Sequence, residues 1–158
     1  MDELYWIIAD TIIFKPEFSH SLNNYVEIIS QYKKIIFSNY NDSKITIETN
    51  NKHDNKYNNI MNLSKFNQPL SDSLSNLINL KQLNISSCFN QPLSDSLSNL
   101  LNLQQLNLGK YFNQPLSNSL SKLINLQQLN LGKYFNNPIL NIRSNLLTVK
   151  NSKNYPIY

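Results

Sequence analysis

Residues 89–111 read FNQPLSDSLSNLLNLQQLNLGKY, and nearly the same stretch occurs directly before and directly after them. The first copy, FNQPLSDSLSNLINLKQLNISSC, spans residues 66–88, and the third copy, FNQPLSNSLSKLINLQQLNLGKY, spans residues 112–134. The first and second copies agree at 17 of 23 positions, and the second and third agree at 20 of 23. A fourth copy begins at Phe135 and then loses the pattern. Self-similarity at a fixed period of this length predicts a stacked repeat structure.

The spacing of apolar residues changes partway along each copy. Leu93, Leu97, Leu100 and Leu101 recur at the spacing of a short helix or of a tight helical turn. Residues 103–108 instead end in an alternation of period two, which predicts a half-buried strand. Because one copy cannot bury its own leucines, neighbouring copies are expected to stack, with their parallel strands in one sheet and the phenylalanine rings packed as a spine along the stack.

Two motifs recur in register. Each copy opens with Phe-Asn-X-Pro and closes with Leu-x-x-Leu-x-Leu or a close variant of it. The openings begin at Phe66, Phe89, Phe112 and Phe135, and the closing patterns are Leu80/Leu83/Ile85, Leu103/Leu106/Leu108 and Leu126/Leu129/Leu131. Together they resemble FNIP repeats, a leucine-rich-repeat variety abundant in social amoebae and giant DNA viruses. The resemblance covers residues 66–139 and implies an α/β fold: a short leucine-rich-repeat solenoid with parallel strands on one face and short helical turns on the other.

The copies depart from the family pattern at two places. At the third motif position, a residue with a side-chain amide replaces the family's isoleucine: Gln68, Gln91, Gln114 and Asn137. At the position of the usual repeat asparagine, the copies have Cys88, Tyr111 and Tyr134. We expect Asn90 and Asn113 to make the backbone hydrogen bonds of the missing asparagine. Asn79, Asn102 and Asn125 end the helical return, where a left-handed backbone conformation is expected.

The chain is expected to divide into four segments: an N-terminal cap of helix and strand at 1–49, an asparagine-rich loop at 50–62, the repeats at 63–139, and a degenerate last repeat or C-terminal cap at 140–158. Two apolar stripes predict that the cap is mainly helical: Leu4, Ile7, Ile8, Thr11 and Ile12, and Leu22, Tyr25, Val26, Ile29 and Tyr32. Residues 32–40 align with residues 80–88 and predict a degenerate first strand, and residues 45–47 predict another short strand.

The strand alternation also predicts a docking surface. If the strand leucines face the core, the polar residues between them face the other side of the sheet. The expected concave, partner-binding face comprises Gln82, Asn84, Ser86, Gln105, Asn107, Gly109, Lys110, Gln128, Asn130, Gly132 and Lys133. Solenoids commonly bind proteins on such a face, so the leading hypothesis is a non-enzymatic protein interaction module. The alternative is a solvated face whose amides satisfy one another and merely stabilise the sheet.

Two further partner classes stay open. Many proteins with FNIP repeats carry an N-terminal F-box, which implies that residues 1–40 recruit a ubiquitin-ligase adaptor, although the Leu-Pro opening of an F-box is missing. Residues 96–158 hold no acid and six bases, which favours an acidic partner or nucleic acid. The bases are Lys110, Lys122, Lys133, Arg143, Lys150 and Lys153.

The sequence does not favour an enzyme, and no cofactor or metal is expected. His20 and His53 lie outside the repeats and lack zinc-ligand spacing, and the 2 glycines cannot form a phosphate-binding loop. Cys88 occupies a slot that tyrosine fills in the next copies, which predicts a buried or half-buried structural thiol. The apolar stretch 4–14 is too short to span a membrane, and without a targeting signal we expect a cytoplasmic location, in the host if the source is a virus.

Overall fold

A computed structural model describes residues 4–41, 43–44, 46–47, 64–116, 118–139 and 148–150. Within these residues, seven short strands form one open sheet whose order follows the chain. They are β1 (Tyr5–Ile8), β2 (Thr11–Phe14), β3 (Lys34–Phe37), β4 (Gln82–Asn84), β5 (Gln105–Asn107), β6 (Gln128–Asn130) and β7 (Thr148–Lys150). β1 and β2 pair antiparallel, and every later neighbour pairs in parallel. The prediction of an α/β architecture built on a parallel sheet is therefore confirmed, although helices are few.

Equivalent residues of the three copies lie side by side in the sheet. Gln82 pairs with Gln105, and Gln105 pairs with Gln128, so each step to the next strand advances the chain by one repeat length. The central leucines of these strands, Leu106 among them, are buried in the core, whereas their polar neighbours lie on the other face. The predicted repeat strands are confirmed.

In the copies at 66–134, the described residues of the return form tight turns rather than α-helices. In the first copy the return contains a 3₁₀ helix at Ser71–Leu74. In the second copy, the amide of Ser96 donates to the carbonyl of Leu93, and the amide of Leu100 donates to the carbonyl of Leu97. Hydrogen bonds to the carbonyl three residues earlier are the 3₁₀ pattern. The leucine spacing predicted either a short helix or a tight helical turn, and these copies form the tight helical turn.

The tighter turn changes which residues face the core. Leu93, Leu97 and Leu100 are buried as predicted, but Leu101 is 48% exposed, so its assignment to the buried stripe is wrong. In an α-helix, Leu100 and Leu101, which follow Leu93 by seven and eight residues, would both lie on the face of Leu93. In a 3₁₀ helix, Leu100 lies on the same face as Leu97, whereas Leu101 lies on another face. Its equivalents Ile78 and Ile124 are exposed too.

The phenylalanines of the Phe-Asn-X-Pro motifs form a continuous buried row. The rings of Phe66, Phe89, Phe112 and Phe135 follow one another at centroid distances of 6.0, 6.1 and 6.2 Å, with planes within 5° of parallel. All four are shielded from solvent. Phe37 continues the row with its centroid 4.3 Å from that of Phe66. The predicted spine is confirmed, and the rings have no free face for a ligand.

Residues 5–14 form a β-hairpin, so the helix predicted for the first apolar stripe is wrong. Ile8 pairs with Thr11, and Ala9 in the turn has a φ of 51°. Isoleucine and threonine favour strands, and the parallel pairing of β2 with β3 buries Ile12 and Phe14 in the common core. Tertiary pairing thus overrides a spacing that also fits a helix, and the expected helical cap is not found at these residues.

The second apolar stripe is helical only in part, with a 3₁₀ helix at Leu22–Tyr25 followed by α1 (Val26–Ile29). None of the helices described in the structure has the length and hydrophobicity needed to cross a bilayer.

Residues 18–40 form a further, degenerate copy of the repeat. Phe18, Leu22 and Ile29 are buried at the positions that Phe66, Leu70 and Leu77 hold in the first copy. β3 pairs with β4 so that Lys34 lies opposite Gln82, which is the register predicted from the alignment of residues 32–40 with 80–88. The step from β3 to β4 is longer than one repeat length, whereas the step from β2 to β3 is one repeat length, because Thr11 lies opposite Lys34.

Three other expectations concern the connecting and terminal segments. Residues 43–44 and 46–47 are helical, so the strand predicted at 45–47 is wrong; the turn buries Thr46 where its hydroxyl bonds that of Ser38. The asparagine-rich loop at 50–62 lies outside the described residues. Of the segment 140–158, only β7 is described. It pairs in parallel with β6 and places Val149 opposite Leu129, so this step along the chain is shorter than one repeat length.

Candidate functional site

The polar strand residues form a face that we call the amide face. It consists of Gln82, Asn84, Gln105, Asn107, Gln128 and Asn130, on the side of the sheet opposite the core leucines. Its exposure differs along the stack: Asn84 is only 8% exposed, Gln82, Gln105, Asn107 and Asn130 are half-buried, and Gln128 is exposed. The most accessible part of the amide face therefore lies over β5 and β6.

The N-terminal continuation of this face is apolar, and it is buried at β2 and β3. Ile13 pairs with Ile36, and Ile36 pairs with Asn84, so all three side chains share one side of the sheet. Both isoleucines are buried although neither belongs to the core cluster on the opposite side. Trp6 lies opposite Ile13, with the ammonium of Lys15 5.3 Å from the centre of its ring. Ile8, on the same side of β1 as Trp6, is 38% exposed, so only the outermost strand at this end is accessible.

The third predicted ladder, Ser86, Gly109 and Gly132, does not present side chains to a partner. Ser86 is buried, and its hydroxyl donates to the carbonyl of Ser64. Gly109 is buried too, because its backbone packs so closely that a Cβ atom on it would be 1.9 Å from the oxygen of Ser86. Gly132 has a φ of 76°, and a Cβ on it would be 2.1 Å from the oxygen of Gly109. These three residues lie where successive loops approach closely; Ser86 and Gly109 are buried and cannot belong to a docking face, whereas Gly132 is half-buried.

The loops after β5 and β6 carry a surface that we call the lysine–tyrosine rim: Lys110, Tyr111, Lys133 and Tyr134. The two tyrosine rings stack with centroids 5.1 Å apart and planes 8° from parallel. They remain 38% and 47% exposed. The ammonium of Lys110 lies 5.1 Å from the centre of the Tyr111 ring, and that of Lys133 lies 5.7 Å from the centre of the Tyr134 ring.

Backbone hydrogen bonds between copies hold the rim in place. The amide of Tyr111 donates to the carbonyl of Ser87, and the amide of Tyr134 donates to the carbonyl of Lys110. In the first copy the rim position is Cys88, a free and half-buried cysteine, as predicted from its slot. The rim thus begins with the second copy, at the end of the sheet where the amide face becomes accessible.

The two rim tyrosines were not among the predicted site residues. In the comparison with FNIP repeats, Tyr111 and Tyr134 stood at the position of a structural asparagine, so they were expected to serve the fold rather than a partner. A usable signal was present: each follows a lysine at the same place in two successive copies, and tyrosine is enriched at binding hot spots.

Within the described residues, asparagines of the Phe-Asn-X-Pro motifs are engaged in hydrogen bonds between copies. The side-chain oxygen of Asn67 accepts the amide of Asn90 at 2.8 Å, and Asn90 accepts that of Asn113 at the same distance. Gln91 donates to the carbonyl of Asn67, and Gln114 donates to that of Asn90, which accounts for an amide at the third motif position. The backbone-bonding role predicted for Asn90 and Asn113 is confirmed, with the next copy as the partner.

The asparagines at the end of the return make a second ladder. The side-chain amides of Asn102 and Asn125 donate to the carbonyls of Ile78 and Leu101, both at 2.8 Å. The left-handed conformation predicted for Asn79, Asn102 and Asn125 is wrong; in the described chain, positive φ is confined to Ala9, Ser71, Ser94 and Gly132. Asparagine is therefore explained at Asn102 and Asn125 by side-chain hydrogen bonds to the preceding copy, not by termination of a helix.

Little else in the described chain offers chemistry. His20 is exposed beside the Phe18 ring, His53 lies outside the described residues, and no cluster of three His, Cys, Asp or Glu side chains occurs within them. Asp10 and Lys34 form an ion pair at 3.3 Å. Desolvation raises the pKa of Asp10, but hydrogen bonding and attraction to Lys34 outweigh it, so the pKa is lowered.

No protein-family model matches the chain, and a search of curated proteins finds no match either. Its function must therefore be inferred from the surfaces that the fold exposes.

Proposed function

We propose that the chain is a short leucine-rich-repeat solenoid of the FNIP kind and that it acts as a non-enzymatic protein interaction module. The in-register pairing of β4, β5 and β6 and the buried phenylalanine row support the solenoid, because each unit then repeats the contacts of its neighbour. The degenerate copy at 18–40 lengthens the stack towards the N-terminus.

The observation that carries the interaction role is that the accessible glutamines are not hydrogen-bonded to one another. The side chains of Gln105 and Gln128 make no hydrogen bond within the described part of the chain. Carboxamides that merely stabilised the sheet would bond one another along the ladder. These instead leave hydrogen-bond donors and acceptors open to a partner on adjacent strands, which lie about 4.8 Å apart.

A rigid sheet makes such a face effective. Its strands are held by pairing on both sides, so little backbone freedom is lost when a partner docks. The mechanism is presentation of fixed hydrogen-bonding groups rather than closure around a ligand. We also propose a cytoplasmic location, because the free thiol of Cys88 suits a reducing compartment.

Quantitative affinity capture from the native cell tests this function. The full chain is compared with a Gln105→Ala/Gln128→Ala variant and with Asn118→Ala, a control whose exposed side chain lies in the return rather than on the amide face. We expect a protein retained by the native chain and by the control but depleted with the double variant. Equal capture by all three would refute docking on the amide face.

The F-box alternative has less support than the interaction module. The F-box is a helical module, whereas Tyr5–Ile8, Thr11–Phe14 and Lys34–Phe37 are strands of the same sheet as the repeats. We therefore expect the full chain not to retain a ubiquitin-ligase adaptor in the same capture experiment. Retention of an adaptor that is lost on deletion of residues 1–40, with the repeats still folded, would favour the F-box instead.

A further inference from the structure

We infer that the lysine–tyrosine rim is the energetic centre of the interaction surface and that its partner presents an acidic, extended polypeptide segment. The inference rests on the proposed interaction function and names the chemistry of the partner.

The rim and the accessible amides coincide in space. Lys110 and Tyr111 follow β5 closely in the chain, and Lys133 and Tyr134 follow β6 in the same way. After β4 the rim position holds Ser87 and Cys88, and in the degenerate copy, after β3, it holds Asn39 and Tyr40. Within the described residues, a lysine–tyrosine pair beside the amide face therefore occurs only in the second and third copies.

The rim is complementary to carboxylates. Its phenol hydroxyls and ammonium groups all donate hydrogen bonds, and ammonium groups accept none. Lys110 forms no ion pair within the described residues, and residues 96–158 contain no acid that would compete with a partner for it. Exposed tyrosines that hold one another in place also lose little side-chain entropy on binding, as hot-spot residues should.

The geometry favours a polypeptide over a nucleic acid. Single-stranded nucleic acids bind by stacking bases on aromatic faces, but Tyr111 and Tyr134 already stack on each other 8° from parallel. A phosphodiester backbone needs donors only, whereas the amide face supplies acceptors as well, which the N–H groups of a peptide require. An extended acidic segment uses both: carboxylates at the rim and main chain along the amides.

Fluorescence anisotropy with the full chain tests the inference. The probe is a labelled peptide in which glutamate alternates with alanine, so that the carboxylates of the extended peptide share one side. The same peptide with glutamine for glutamate is the uncharged control. We expect the glutamate peptide to bind, with an affinity that falls as salt is raised, and the glutamine peptide to bind at least about tenfold more weakly.

Matched variants separate the rim from net charge. Lys110→Ala and Tyr111→Ala are each expected to weaken binding of the glutamate peptide about tenfold. Lys122→Ala removes the same charge from an exposed residue of the return and should change the affinity less than about twofold. Circular dichroism confirms that each variant is folded, and Tyr111→Phe, which retains the stacked ring, should lose less affinity than Tyr111→Ala.

Three results would overturn the inference: no binding of the glutamate peptide to the folded chain, an equal loss with Lys122→Ala, or Lys110-dependent binding of single-stranded oligothymidine without binding of the peptide. The last would assign the rim to nucleic acid. If a captured cellular partner depends on Gln105 and Gln128 but is indifferent to Lys110 and Tyr111, the interaction module stands and the rim inference alone fails.

Discussion

Gly109 packs directly against the backbone of Ser86, the residue that precedes it by one repeat. The contact is so close that a Cβ atom on Gly109 would be 1.9 Å from the carbonyl oxygen of Ser86. Gly132 makes the corresponding approach to Gly109. Since Lys110 and Tyr111 come next in the chain, this close approach determines how the loops of the rim lie on one another.

Gly109→Ala is expected to destabilise the protein by about 3 kcal/mol or more, because the added methyl group meets backbone that cannot move without breaking the stack. Urea unfolding followed by circular dichroism measures the effect. The neighbouring Lys110→Ala, which adds no atoms, should change stability by less than about 0.5 kcal/mol. A loss below about 1 kcal/mol for Gly109→Ala would mean that the loops can separate freely.

Phe112→Ala is expected to cost about 3–5 kcal/mol, because it removes a buried ring with a stacked neighbour on each side. The free energy of unfolding is again the measurement. Tyr111→Ala is the matched control: it removes an aromatic ring from the adjacent but exposed position and should cost less than about 1 kcal/mol. Similar losses for the two variants would contradict the division between spine and rim.

Asn90→Ala is expected to lower stability by about 1 kcal/mol, because it removes the acceptor for the amide of Asn113. Asn90→Asp keeps an oxygen in that place and should cost less. Asn118→Ala, at an exposed residue of the return, serves as the control. Thermal unfolding ranks the three variants, and a loss for Asn118→Ala as large as that for Asn90→Ala would speak against the ladder.

The ion pair of Asp10 with Lys34 should contribute a small, pH-dependent stabilisation. The pKa of Asp10 is lowered in the folded chain, so the contribution is present above the unfolded pKa of about 3.9 and disappears as pH falls through the lower folded value. The carboxylate is 42% exposed, which limits the effect to under about 0.5 kcal/mol.

Asp10→Asn tests this contribution. At neutral pH it should lower the urea midpoint slightly, and the difference from the native chain should vanish below about pH 3. Asp72→Asn is a control for an exposed aspartate outside any described ion pair. A difference between Asp10→Asn and the native chain that grows as the pH falls would contradict the assignment.

The candidate site was only partly predictable. Strand alternation correctly placed Gln105 and Gln128 opposite the core, because side chains alternate whatever the surroundings. Alternation could not show that Asn84 is buried, since that depends on how the neighbouring strands and side chains pack around it. Nor could it show that Ser86 turns inward, because the strand has already ended and the loop follows its own hydrogen bonds.

The amino-acid sequence alone determined the repeat length, the strand within each copy, the phenylalanine row and the register of β3 on β4, since each follows from local periodicity or from near-identity between copies. Only the tertiary structure decided that Tyr5–Ile8 and Thr11–Phe14 are strands and that Tyr111 and Tyr134 are stacked at the surface. A short apolar run fits a helix or a strand equally well until a neighbour one repeat length away in the chain pairs with it. The exposure of Tyr111 and Tyr134 likewise depends on how closely the loop backbones of successive copies approach each other. The sequence of one copy alone does not determine that distance.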